Sequence, residues 1–292
     1  MLIGIISWVL VSGFVLALTL LTCVHLRSPR ADINLIQLIF LWIFYTTLAM
    51  FVIGQLGVMR PAPMAVIGLV GFAVLFSIPS LRAGLLSTKR LTIEALEALK
   101  IWWRALPRWL KWLSAAFLSA SILRFTFLIL ALPPFVWDSL TYHLTNVAEW
   151  TQRGRITLFE TSMARIYTPA NYETFALWFT AFLHHDAIVE AAGLPAYILA
   201  LASVYSIGRS LKLAPWSALF AGLAYLSTPA LVIAATGTKN DPHMAAYFLG
   251  LLAIVLYMVS DLQEMGAKRQ LGPLVVAVLM ALLAFGTKAY LM

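Results

Sequence analysis

The chain is poor in charge and nearly without cysteine. Of its 292 residues only 11% are Asp, Glu, Lys or Arg, and Cys23 is the single cysteine. A soluble domain carries about a quarter of its residues as charges, so an ordinary soluble protein is excluded. One cysteine makes no intrachain disulfide and leaves the redox compartment open. No glycine-rich phosphate loop of the P-loop or dinucleotide type occurs, which argues against a cytosolic nucleotide site. Sustained apolar–polar alternation is absent as well, which argues against a membrane β-barrel. The N-terminus has no basic leader, and its apolar run to about Leu26 is too long for a cleaved signal.

What is there is mostly hydrocarbon. Hydrophobic residues make up 62% of the chain, and the mean hydropathy is +0.91. Crossing the apolar core of a bilayer takes about 20 helical residues. In lipid each backbone N–H and C=O must be satisfied internally, so long apolar runs fold as helices. The pattern predicts an all-α polytopic membrane protein with about eight spans. They fall near Leu2–Leu26, Ile33–Val58, Met64–Pro79, Leu113–Pro133, Ile188–Ile207, Ala214–Thr236, Pro242–Ser260 and Gly272–Met292.

The net charge of +8 is not arranged as a nucleic-acid face. If the helices alternate, Arg27, Arg30, Arg82, Lys89, Arg90, Lys100, Arg104, Arg108, Lys111, Arg209, Lys212, Lys268 and Arg269 share one side. The other holds Arg60, Arg153, Arg155, Arg165 and Lys239. Lys and Arg favour the cytoplasm, so the N-terminus and the loop around residues 134–187 are expected on the non-cytoplasmic side. Three parts follow: residues 1–80 with three spans, an interfacial amphipathic linker at 81–112, and a membrane core at 113–292. In the linker, Trp102, Trp103, Trp109 and Trp112 alternate with Lys and Arg, which suits a helix lying at headgroup depth. Pro107 is expected to divide it. A plain basic linker is the alternative.

The long non-cytoplasmic loop concentrates the polar chemistry. Six of the twelve acids fall between Asp138 and Glu190, with three of the five histidines. A helix is expected from Asp138 to about Gln152. It would put Asp138, Tyr142, Thr145 and Glu149 on one face and turn Leu140, Leu144, Val147 and Ala148 toward another. A second helix is expected over Tyr172–Leu183, with Glu173 at its start. Asp138 has two readings, an N-cap or a general base whose pKa is tuned by apolar neighbours. Asp241 has the same two, since Lys239-Asn240-Asp241-Pro242 reads as a helix start. Its proximity to Lys239 and His243 suggests a cavity shared with Asp138. Arg153, Arg155 and Arg165 suit either a phosphate or lipid headgroups. His184-His185-Asp186, with His143 and His243, carry none of the spacing of a metal motif. No metal ligand is assigned and no cofactor is certain, with a divalent metal left open. Arg124 and Lys288 are cations within apolar runs, where such groups serve a partner or a cavity.

The segment Trp137-Asp138-Ser139-Leu140-Thr141-Tyr142-His143, then Thr238-Lys239-Asn240-Asp241, then Gly286-Thr287-Lys288 resemble the GT-C superfamily of integral-membrane glycosyltransferases. The nearest resemblance is to the group of protein O-mannosyltransferases and lipid A aminoarabinose transferases. It covers roughly Leu113–Met292. The resemblance implies an inverting transfer of a sugar from a polyprenyl-phosphate donor to a hydroxyl on a glycan, lipid or protein, outside a bacterial inner membrane. It implies catalytic roles for Asp138 and Asp241 and matches Lys288 to the basic residue of a later helix. With the polar residues of the same loops, the expected substrate contacts are Tyr142, His143, Glu149, Arg153, Arg155, Arg165, Lys239, His243 and Lys288. Membrane lipids are expected partners and nucleic acid is not. Two departures stand out. Ser139 occupies a place where some relatives carry a second acid. The chain also ends at Met292, where relatives continue with further helices, as a C-terminally truncated member would. The alternatives are a lipid or solute transporter and a non-catalytic assembly partner.

Overall fold

A computed structural model describes residues 1–167, 169–260 and 267–288. Among these the chain is helical, with no strand. Twelve α-helices follow in order: α1 Leu2–His25, α2 Ala31–Gln55, α3 Pro61–Ser77, α4 Pro79–Ala105, α5 Arg108–Ala131, α6 Leu144–Arg153, α7 Asn171–Ala176, α8 Leu194–Ser210, α9 Pro215–Leu226, α10 Pro229–Ala235, α11 Asp241–Ser260 and α12 Ala267–Phe285. A π-turn at Ser139–His143 precedes α6, and short 3₁₀ turns flank α7 and precede α8.

Five helical stretches are long and apolar enough to cross a membrane: α1, α2, α5, α11 and Val189–Ser210, which contains α8. Two bent pairs raise the number to seven. α3 meets α4 at 97°, and α9 meets α10 at 68°. Proline opens the second helix of each pair, where its missing N–H breaks the ladder at least cost. The eighth expected span falls on α12, whose apolar part, Leu271–Phe285, is shorter. Residues 289–292 lie outside the described set.

The centre of the bundle is α8 against α11, with α2, α9 and α12 around them. Small residues line the contact: Ala196, Ala200, Ser203 and Ser206 on α8, and Ala246, Gly250 and Ala253 on α11. Without a hydrophobic driving force between helices in lipid, small side chains let backbones approach and dispersion hold them. α1 packs on α2 and α3 in the same manner. A Cβ on Gly68 would come within 2.9 Å of the Leu10 Cβ. α5 stands at the edge against α9, and most of its apolar surface is exposed.

The linker divides at Pro107, as expected: α4 runs from Pro79 to Ala105, and α5 starts at Arg108. Trp109 and Trp112 therefore belong to the apolar helix α5. Trp109 packs edge-on against Trp216 and Phe220 of α9.

The bundle has two distinct ends. At one, Arg30 reaches Asp32, the Ser210 hydroxyl at 3.0 Å and the face of Tyr257. At the other, the α2–α3 turn is clipped to the segment after α6. Met59 N–H donates to Gly154 C=O at 3.1 Å, and Ile156 N–H to Gly54 C=O at 3.0 Å. That second end also carries residues 134–167, 169–188, 237–241 and 286–288.

Candidate functional site

The site begins where the chain leaves α5 through Pro133-Pro134. The Leu140 N–H donates to Val136 C=O at 3.1 Å, so the helical turn opens ahead of Asp138. Asp138 has helical dihedrals (φ −59°, ψ −39°) and makes no capping side-chain bond. Its carboxylate instead faces Lys239 Nζ at 3.4 Å. The Ser139 hydroxyl donates to Gly237 C=O. Residues 136–139 are thereby docked onto the stretch leading into α11.

The start of α11 is also one residue off expectation. Met244 N–H donates to Asn240 C=O at 3.0 Å, which makes Asn240 the cap and Asp241 the first helical residue. Asp241 pairs with Lys288, just beyond α12. The approach of 286–288 is fixed by three bonds. Asn171 N–H donates to Gly286 C=O at 2.9 Å, the Asn171 amide to Leu283 C=O at 3.0 Å, and the Asn240 amide to Thr287 C=O at 2.9 Å. A Cβ on Gly286 would displace the Asn171 side chain that holds this approach. Three stretches remote in sequence, 136–143, 237–241 and 286–288, therefore meet. Two ion pairs stand two residues apart on the middle one. Both are partly open, with the Asp138 side chain 32% and that of Asp241 49% exposed.

Beneath the pairs lies a buried polar layer. His143 Nδ1 and Glu173 Oε1 are hydrogen-bonded, and both side chains are buried. The Tyr172 ring stands 5.5 Å from His143 and 5.0 Å from His243, centre to centre. His243 is fully buried, against Phe175 and Tyr247. Among the described residues, both of its ring nitrogens, the Tyr172 hydroxyl, Glu173 Oε2, Glu190 Oε1 and Thr238 Oγ1 have no hydrogen-bond partner. Burial, with the carboxylates of Glu173 and Glu190 close by, pushes the Tyr172 hydroxyl well above its ordinary range.

The expected helix face is rearranged by the π-turn. His143, Asn146, Val147, Trp150 and Thr151 are buried, whereas Leu140 and Ala148 are exposed. The inward stripe of α6 is half polar, so apolarity alone misphased it. Tyr142 is half-buried beside the His143 ring. Glu149 pairs with Arg153 at 2.9 Å. Arg153 ends α6 and Arg155 follows it, about 15 Å along the helix axis from the π-turn. They are not gathered with the two ion pairs. The side chain of Arg165 lies outside the described set. His184, His185 and Asp186 are exposed, and Arg124 is exposed on α5. Among the described residues no three His, Cys, Asp or Glu side chains cluster as a metal site.

No protein-family model, curated protein or solved structure matches the chain.

The site therefore stands on its own geometry. Glu173, Tyr172, Glu190 and Asn171 belong to this end of the bundle without being among the site residues expected from the sequence. Glu173 had a signal, an acid inside the aromatic run Tyr172–Phe182, where an unpaired carboxylate is costly. Asn171 had none, because its partners are backbone carbonyls of α12.

Proposed function

We propose that this chain is a GT-C-type membrane glycosyltransferase. Its donor would be a polyprenyl-phosphate sugar, and its site the end of the bundle carrying Asp138, Lys239, Asp241 and Lys288. One observation carries the reading: the three short stretches that resemble the family converge, and each contributes a charge to adjoining acid–lysine pairs. An acid to take a proton and a cation to receive a phosphate are what the transfer requires.

In the proposed step an acceptor hydroxyl gives its proton to the Asp138 carboxylate. Its oxygen forms a bond to the anomeric carbon as the bond from that carbon to the phosphate oxygen breaks. The electron pair leaves with the lipid phosphate, and the configuration inverts. Lys239 or Lys288 would turn from its carboxylate to the departing phosphate. Asp241 would then orient the acceptor or share the proton. The acceptor class is a hydroxyl on a glycan, a lipid or a protein. The membrane would be a bacterial inner membrane, with the site on its non-cytoplasmic side.

One observation favours a second reading, a lipid or solute transporter. Ionisable groups are buried together at His143, Glu173, Glu190 and His243, as in proton-linked carriers. The purified chain, reconstituted with a radiolabelled polyprenyl-phosphate sugar and a hydroxyl acceptor, separates the readings. Labelled product that disappears with Asp138→Asn supports the transferase. Movement of the labelled lipid across the bilayer with no product overturns it in favour of transport. Neither result leaves only the assembly-partner reading.

A further inference from the structure

We propose that Arg60 and Arg155 form a headgroup site for an anionic phospholipid, apart from the two ion pairs. The two backbone bonds between the α2–α3 turn and residues 154–156 bring these arginines together from opposite halves of the chain. The Arg60 side chain lies over Gly154, where a Cβ would stand 3.6 Å from its Nε. Arg155 follows Gly154 directly, and its Cβ lies 3.8 Å from where a Cβ on Gly57 would be. Both arginines are exposed. Neither side chain has an ion-pair partner among the described residues. Arg153 differs, since Glu149 neutralises it and Phe159 lies under it at 5.4 Å.

The surroundings match an amphiphile rather than a free anion. The exposed residues Phe51, Val52 and Leu56 form one stripe of α2 that ends at the turn. Val66 and Val70 form another on α3, about two and three turns below Arg60. Each arginine thus stands at the head of an apolar stripe, as a phosphate stands at the head of acyl chains. Guanidinium matches phosphate in geometry and charge.

The test uses the full chain in detergent, with phosphatidylglycerol and phosphatidylcholine of identical acyl chains added at equal amounts. Retained lipid is counted by native mass spectrometry. Selective retention of phosphatidylglycerol is expected. The double variant Arg60→Gln/Arg155→Gln should weaken it roughly 30-fold, since each surface cation contributes about a fivefold factor. Arg153→Gln should leave it unchanged, and Arg60→Lys/Arg155→Lys should retain most of it. The lysine pair keeps the test decisive if the glutamine pair fails to fold. Equal retention of the two lipids overturns the proposal. So does unchanged retention by the glutamine pair, or displacement by inorganic phosphate alone, which would mean an anion site indifferent to lipid.

Discussion

The Nζ of Lys239 stands 3.4 Å from the Oδ2 of Asp138. The acid is therefore tied across to the approach of α11 and not down onto its own helix. A cap would have its oxygen on the backbone of the turn that follows, and Asp138 is already inside that turn.

Asp138→Asn and Asp138→Ala should consequently cost similar stability, each about 1 kcal/mol or less, as for a partly exposed ion pair. Under the proposed chemistry both should lower sugar transfer by roughly 10²–10⁴-fold. Unfolding in detergent checks the first point and product formation the second. An alanine variant less stable than the asparagine variant by a cap's worth, about 0.5–2 kcal/mol, would restore the capping role.

The buried pair should behave differently. Removing one partner of His143–Glu173 leaves the other polar group stranded in the interior. Glu173→Ala and His143→Ala are each expected to cost about 3–5 kcal/mol. The double variant should cost clearly less than the sum, because each single change already breaks the contact. Simple additivity in a double-mutant cycle would mean the two do not interact.

Much of the helical layout was legible in the sequence, because length and apolarity decide where lipid-compatible helices form. The ends were less so. Pro79 and Pro229 mark real bends, yet nothing local sets their angles. The chemistry around Asp138 was half legible. Asp138, Lys239, Asp241 and Lys288 stand out as charges at the edges of apolar runs. Their pairing depends on how α11 and α12 meet the π-turn, which is tertiary information. The histidines misled in the other direction. His143 and His243 look available, and the fold buries both among aromatic rings.

Sidedness can be read with single cysteines in a Cys23→Ser background. Ser162 belongs to the end that carries the ion pairs, and Ser210 to the end where Arg30 is anchored. Ser162→Cys should label from the non-cytoplasmic side and Ser210→Cys from the cytoplasmic side, following the Lys/Arg asymmetry. Both labelling from one side would contradict the bundle as described, and exchanged sides would contradict the orientation.

Tyr172 makes a prediction about alkaline pH. Its hydroxyl is held neutral in the folded chain, while the unfolded chain ionises near pH 10. The unfolded state therefore releases protons first, and stability should fall as pH rises above about 10. In Tyr172→Phe that fall should be shallower, with stability near neutral pH unchanged or slightly higher because an unpartnered hydroxyl is gone. Parallel pH profiles for parent and variant would show that Tyr172 does not titrate in this way.

The π-turn at Ser139–His143 has a consequence for how the chain tolerates change in length. A π-turn holds one residue more than the α-helical turn it replaces. Deleting one residue within it, at the exposed Leu140, would leave a regular α-turn that sweeps the same angle, so the Asp138 carboxylate would keep its aim at Lys239 while α6 kept its inward stripe. Inserting one residue there would find that slack already taken up and would swing everything ahead of it by about 100° around the axis, carrying the acid away from Lys239. The aim of that acid is thus set by a count of residues: one fewer is tolerated and one more is not, whereas many substitutions at Leu140 would pass unnoticed.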